Sequence, residues 1–209
     1  ELNRNISFKN EEKKLPNVAL CSLIDKDIVE SIKLGDKQQS HTIVGTYAPS
    51  LDSEDRFSFN VLDAVLSGMG GRLFMELREK KSLAYSVHSF FKANLDYGYF
   101  GIYIGCSPEK KMQSIDAINN ELEKLIEKGI TNEELERAKN YLIGRNDISL
   151  QRNASINARI AYAGLYGLSL NEPFDFSSKI KSISQDSINS VIEKYLKGKS
   201  KVTVSVDPS

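Results

Sequence analysis

Residues 70 to 87, GGRLFMELREKKSLAYSV, place an arginine at 78 and a tyrosine at 85 where a short charged helix runs into a strand. Arginine offers a rigid fork of N–H donors and a phenol offers one O–H, so both can hold a bound polar group. Each also has a plain structural account. Arg78 lies off the apolar stripe of Leu73, Phe74 and Leu77, in the last helical turn. There the helix dipole favours a cation by about 0.3–1 kcal/mol. Tyr85 opens a run rich in strand formers, where packing alone favours tyrosine. Arg72 and Glu76 are spaced for an i,i+4 ion pair on the same helix.

Other reactive groups are sparse. A zinc hydrolase site needs about three protein ligands. The chain has two histidines, His41 and His88, in different predicted strands and in neither H-E-x-x-H nor H-x-x-E-H. They read as ordinary packed or surface residues, and no metal is expected on this chain. There is no G-x-S-x-G elbow. SGMGG (67–71) lacks the Gly-Lys-Ser/Thr ending of a phosphate loop and follows no strand, so it reads as a flexible turn between two helices. Cys21 and Cys106 form no C-x-x-C pair and read as two free, buried thiols. Arg145, Arg152 and Arg159, seven residues apart, read as a solvated or ion-paired face.

The bulk composition narrows the partners. Lys+Arg and Asp+Glu both number 28, so no basic excess points to nucleic acid. No apolar run approaches the ~18 residues of a membrane span. The opening ELNRNISFKNEEKKLPN is polar and holds no apolar signal core. Residues 1–28 are expected to be a linker or N-terminal tail, and 29–209 a single domain that is a piece of something longer. A bacterial cytoplasmic or periplasmic setting is expected.

The elements that must position Arg78 and Tyr85 follow from periodicity. VESIKL (29–34) and SHTIVGTYAP (40–49) alternate as strands, with Pro49 ending the second and GDKQQ between them suiting a turn. Ser53 can cap a helix carrying Phe57, Val61, Leu62, Val65 and Leu66 on one face, and 72 to about 81 is a second helix. AYSVHSFFKA (84–93) and YGYFGIYIGC (97–106) read as a hairpin. Ser107-Pro108 starts a helix that Gly129 ends, and Thr131 with Glu134 forms a capping box for the next. Helices over about 152–167 and 185–196 and a strand at KVTVSV (201–206) complete the chain. The order β-β-α-α-β-β-α-α-α-α-β predicts an α+β fold: an antiparallel (mixed) sheet of adjacent strand pairs with helices packed on one face.

Taken together, GGRLFMELREKKSLAYSV resembles the signature of the second, zinc-free half of the pitrilysin, insulinase and mitochondrial-processing-peptidase family: a Gly-rich turn, Arg-Leu-Phe, then Arg-Glu-Lys-x-x-Leu-Ala-Tyr-Ser-Val. QQSHTIVGTYAP (38–49), ITNEELERAKNYLIGR (130–145) and the closing strand before Asp207-Pro208 resemble further family segments in the same order. The likeness covers about residues 29 to 208. The glycine turn is shorter than the long loop of the non-catalytic processing-peptidase subunit, and Gly71 stands where the family has Ser.

The resemblance implies a processing-peptidase-like α/β roll. It also implies a division of labour in which the first half carries zinc on H-x-x-E-H and the second closes a chamber over an extended or unfolded peptide. On that likeness Arg78 and Tyr85 correspond to the motif's substrate-binding Arg and Tyr, with Tyr85 donating to the transition-state oxyanion in trans. The expected partners are thus the zinc-bearing N-terminal half, on the same or a separate chain, and peptide substrate, with a homodimer also open. Zinc is expected in that partner half and no cofactor on this chain, which alone should be inactive. The alternatives are a catalytically dead scaffold or peptide-binding subunit of the same fold, or a protein that completes a zinc subunit in trans.

Overall fold

A computed structural model of the protein describes residues 23–35, 38–68 and 70–209. The first 22 positions of the expected tail, Cys21 among them, lie outside the described residues. The chain runs β1 (Ile28–Lys33), β2 (Ser40–Ala48), α1 (Asp55–Leu66), a π-helix (Phe74–Lys80), β3 (Ser86–Ala93) and β4 (Gly98–Cys106). It continues through α2 (Lys111–Lys128), α3 (Asn132–Leu150), α4 (Asn153–Leu165), α5 (Glu172–Ser182) and α6 (Gln185–Tyr195) to β5 (Val202–Asp207). The mixed α+β architecture is the expected one.

The strands form one sheet in the order β1-β5-β2-β4-β3. β3 and β4 pair as the predicted antiparallel hairpin, and β4 pairs antiparallel with β2. The expectation of a β1–β2 pair is corrected. β5 lies between them, parallel to β1 and antiparallel to β2. The alternating Val-Thr-Val-Ser-Val of β5 suits this slot, because both of its hydrogen-bonding edges gain a ladder. Closing so long a loop costs little more than closing a short one.

Alternation along the strands separates two faces. Val44, Val87, Phe100, Ile102 and Ile104 are buried against α1, α2 and α6, while α3 and α5 pack over α1. The apolar stripe predicted for α1 is the one buried. Its Phe59 has no exposed surface and meets the rings of Phe91, Phe100 and Tyr195 at centroid distances of 4.9, 5.5 and 5.7 Å. One side chain thus ties α1 to β3, β4 and α6, at about 1.5–3 kcal/mol for burial of a side chain of this size. No described helix is long and apolar enough to cross a membrane.

Helix ends follow the sequence closely. Thr131 and Glu134 form the reciprocal capping box, and Gly129 ends α2 at φ 65°. The predicted Ser53 cap is corrected: the N-cap of α1 is Glu54, which makes no side-chain capping bond, and Ser53 Oγ accepts from the Asp55 N–H at 3.3 Å. Ser107-Pro108 opens a 3₁₀ turn, Pro108–Lys110, and the α-helix proper begins at Lys111. α5 is absent from the predicted elements. Its start carries Pro173 in the first turn, a usable signal, but only Pro173 and Ile180 are fully buried, too few for a clear period. The reading of Arg159 as solvated or ion-paired is also corrected. Its Nη1 donates to Asn146 Oδ1 at 2.6 Å and Ser149 Oγ at 3.2 Å, joining α4 to α3, and burial lowers its pKa.

Asp207 closes the sheet electrostatically. Its carboxylate accepts from Lys111 Nζ at the start of α2 and from Ser31 Oγ of β1 at 2.6 Å. Partial burial pushes this carboxyl up, but those hydrogen bonds outweigh it and bring the pKa down to about 2. The folded value lies below the unfolded one. The contribution is therefore present above the ordinary aspartate range and lost as pH falls through about 2. Asp207→Asn should lower stability by about 1–2 kcal/mol at neutral pH after solvent screening, and by almost nothing at the acid end. Urea unfolding at both pH values checks this; an equal loss at both would assign the effect to something other than the ion pair.

Candidate functional site

The turn before the motif helix is tight. Gly68 has φ 83°, which favours glycine, and the Gly71 N–H donates to the Gly68 carbonyl at 3.0 Å. A Cβ on Gly71 would lie 2.2 Å from the Ser67 carbonyl oxygen and 2.6 Å from that of Leu66. Backbone contact therefore excludes the serine that the resemblance would place there.

Arg72 departs from its predicted pairing with Glu76. Its Nε and Nη2 donate to the two carboxylate oxygens of Glu134 at 2.5 and 2.6 Å, and Nη2 also reaches the Gly129 carbonyl at 2.9 Å. An exposed i,i+4 pair contributes about 0.2–0.5 kcal/mol, while a bidentate, charge-assisted pair at a half-buried junction is stronger. Glu76 pairs with Lys80 instead. Burial raises the Glu134 pKa, but the bonds from Arg72 and from the Thr131 N–H outweigh it, and the carboxyl sits below its usual range.

Leu73 and Leu77 are fully buried and hold the helix to the core, and Phe74 is half-buried. From Phe74 the helix widens to π geometry, with the Lys81 N–H on the Glu76 carbonyl at 3.2 Å, where an α-helix was predicted. It stops at Ser82, whose φ of 50° is uncommon for a residue with a side chain. Lys110 Nζ holds the Ser82 carbonyl at 2.8 Å, and the buried Leu83 donates its N–H to the Leu77 carbonyl at 2.8 Å. The Tyr85 N–H then joins the sheet at the Gly105 carbonyl, 2.8 Å away.

This anchored break presents the two predicted site residues. Arg78 is exposed, with its guanidinium carbon 5.0 Å from the centre of the Phe74 ring. Tyr85 is 61% exposed. Among the described residues neither side chain has a hydrogen bond or ion pair, and they make none with each other. A charged cleft of about 500 Å³ lies against the same helix, lined by Arg72, Met75, Glu76, Lys80, Lys124 and Glu134 among others.

The histidines serve elsewhere. His41 Nδ1 and Tyr103 Oη are 2.7 Å apart, and the His88 ring lies 4.9 Å from that of Tyr103. Among the described residues no three His, Cys, Asp or Glu side chains gather as a metal site would require. Cys106 is a free, buried thiol whose pKa burial raises.

Residues 5–142 match the peptidase M16 inactive domain. The chain belongs to this family. It is 32% identical over 160 residues to an uncharacterized zinc protease of Streptomyces coelicolor, a match covering 76% of this chain and 35% of that protein. It is 28% identical over 171 residues to the non-peptidase homolog YmxG of Helicobacter pylori, covering 79% and 39%. The peptidase M16 inactive domain structure from Pseudomonas fluorescens superposes with a TM-score of 0.80 at 25% identity, over 88% of this chain and 44% of that one. The chain thus spans about a third of the curated relatives it matches, and less than half of that solved chain.

Within this M16 inactive domain, the sequence reading missed that Arg72 is an anchor rather than a surface pair. The capping box marked Glu134 as special, but nothing local linked it to a residue 62 positions earlier. Arg72→Met should cost about 2–3 kcal/mol, between the small value of an exposed pair and that of a buried one. The loss should shrink in acid, because the Glu134 contribution is present above the ordinary glutamate range and disappears as pH falls through its lowered value. Denaturant unfolding at neutral and acid pH reads both effects. Gly71→Ala should be at least as costly, about 2 kcal/mol or more, since rigid carbonyls must shift; a thermal unfolding midpoint within about 2 °C of wild type would show that the turn relaxes freely.

Proposed function

We propose that this chain is the non-catalytic, zinc-free half of a zinc metalloendopeptidase, closing a peptide chamber against a zinc-bearing half and supplying Arg78 and Tyr85 to its active site. One observation carries the reading. In a motif whose Gly71, Arg72, Leu73, Leu77 and Leu83 are committed to clearance, ion pairing and burial, Arg78 and Tyr85 flank an anchored break, both exposed and without a side-chain hydrogen bond or ion pair among the described residues.

The chemistry suits donors of these kinds. A zinc ion held by the partner half would supply Lewis acidity towards the scissile carbonyl and the attacking water. Attack places negative charge on the carbonyl oxygen, and the Tyr85 O–H donates a hydrogen bond to it. Removing such a donor typically lowers the rate by ~10²–10³. Arg78 acts on binding: its fork of N–H groups holds a backbone carbonyl of an extended peptide and fixes the register of the scissile bond. Ser82 and Leu83, locked to Lys110 and Leu77, keep the two donors at a constant separation along the chain.

A second reading is a scaffold or peptide-binding subunit that kept the fold without catalysis. It is supported by the relative in Helicobacter pylori described as a non-peptidase homolog. Cleavage of a quenched fluorescent peptide separates the two, using this chain alone, the zinc-bearing half alone and both together. Activity is expected only in the mixture. Tyr85→Phe should lower kcat at least about tenfold, and Arg78→Met should act mainly by raising KM. No gain on mixing, or full activity with Tyr85→Phe, favours the scaffold.

A further inference from the structure

Among the helices, two guanidinium groups meet one carboxylate in a single cavity. The cavity, about 440 Å³, lies between the start of α1, the second half of α4 and the start of α5. Its walls are mostly apolar, formed by Tyr162, Ala163, Leu168, Pro173 and Phe176. Its charged lining is Arg56, Arg159 and Glu172. None of these residues belongs to the motif of Arg78 and Tyr85, and the functional reading above uses none of them.

The fold builds this cavity from buried and hydrogen-bonded parts. After α4, Gly167 turns the chain at φ 70°, and the Leu168 N–H returns to the Ala163 carbonyl at 2.8 Å. Arg56 is only 9% exposed, and its Nη1 and Nη2 donate to the two carboxylate oxygens of Glu172, the second at 2.9 Å. That pairing occupies the one carboxylate in the lining. Arg56 Nε is shut off from solvent and has no partner, so the wall also holds an orphan donor. Arg159 is left with no carboxylate of its own. Its Nη1 is held by neutral oxygens of Asn146 and Ser149, while its Nε and Nη2 have no hydrogen bond among the described residues and stay accessible. Its guanidinium carbon lies 5.9 Å from the centre of the Phe176 ring.

Two guanidinium groups against one carboxylate leave one positive charge in an apolar lining. Such a charge is costly unless it is paired and hydrogen-bonded. Burial already holds the Arg159 pKa below its ordinary value, with the Glu172 charge opposing. One excess charge matches a carboxylate better than a phosphate monoester, which brings close to two. The planar fork of free N–H donors fits a carboxylate's two oxygens. The aromatic and aliphatic walls suit an apolar body on the same molecule, and the volume falls within the range of about 300–1,000 Å³ typical of small-molecule sites.

We infer that this cavity binds an organic monocarboxylate with an apolar aryl or branched alkyl body, the carboxylate on Arg159 and the body against Tyr162, Leu168 and Phe176. Arg56 stays on Glu172, so that pair adds no net charge and the ligand balances Arg159. A free acid and a peptide C-terminus that ends in an apolar residue both present this chemistry.

Titration of the full two-half protein with phenylbutyrate, followed by calorimetry and by ligand-observed NMR, tests the site. A dissociation constant below about 1 mM is expected. Phenylbutyramide, the same body without the charge, should bind at least about tenfold more weakly. Arg159→Met should weaken phenylbutyrate binding at least about tenfold. Ala158→Trp, at an exposed α4 position in the lining, should do the same by filling the cavity. It leaves the Arg159 bonds to α3 in place, so it decides the matter if Arg159→Met folds poorly. No binding up to about 5 mM overturns the inference, and so does equal binding of acid and amide. Binding that Ala158→Trp leaves unchanged also overturns it, because the acid then sits elsewhere, a partner-half zinc included. N-acetyl-leucyl-phenylalanine and its C-terminal amide separate the two sources. Tighter binding than phenylbutyrate, lost in the amide, assigns a chain terminus; weaker binding assigns a free acid.

Discussion

The geometry of the motif depends on Arg72. This one guanidinium spans the end of α2 and the start of α3, taking both oxygens of Glu134 and the Gly129 carbonyl. Glu134 is at the same time the capping residue of α3. A single charge cluster therefore fixes a helix C-terminus, a helix N-terminus and the beginning of the π-helix. Without it the start of the π-helix would lose its tie to α2 and α3 and be held there by burial of Leu73 and Leu77. The break that follows has its own ties, from Lys110 to Ser82, Leu83 to Leu77 and Tyr85 to Gly105.

The motif divides by physical role. Gly71, Arg72, Leu73, Leu77 and Leu83 are committed to packing and anchoring, through backbone clearance, ion pairing and burial. Arg78 and Tyr85 are committed to none of these among the described residues. A rigid frame presenting two free donors loses little entropy when a ligand arrives, which is what a positioned binding or catalytic group requires. The same division appears in the sheet. One face is filled by the chain's own helices, and on the other the described residues form a glycine-floored apolar trough that Ile24 also lines.

Local patterns carried much of the fold into view. The hairpin of β3 and β4, the stripe of α1, the C-terminal Gly129 and the Thr131–Glu134 box all depend on neighbours within a few residues, and all are present. The exceptions share a physical cause. α5 buries too little of its surface to show a period, and the neutral partners of Arg159 come from another helix. The π-helix depends on how Leu73 and Leu77 seat in a core assembled from distant segments.

By itself the sequence determined most element types, the α+β class and the motifs that carry the family likeness; that likeness alone singled out Arg78 and Tyr85, whose residue types the helix dipole and strand packing also explain. The elements and the class follow from side-chain periodicity and short-range capping, which act over one or two turns. Tertiary structure alone decided that β5 divides β1 from β2, that Arg72 pairs with Glu134 rather than Glu76, and that the described helices gather on one face of the sheet. Each of those outcomes is a choice among distant partners. It is settled by which pairing satisfies the most hydrogen bonds and buries the most apolar surface once the whole chain has collapsed.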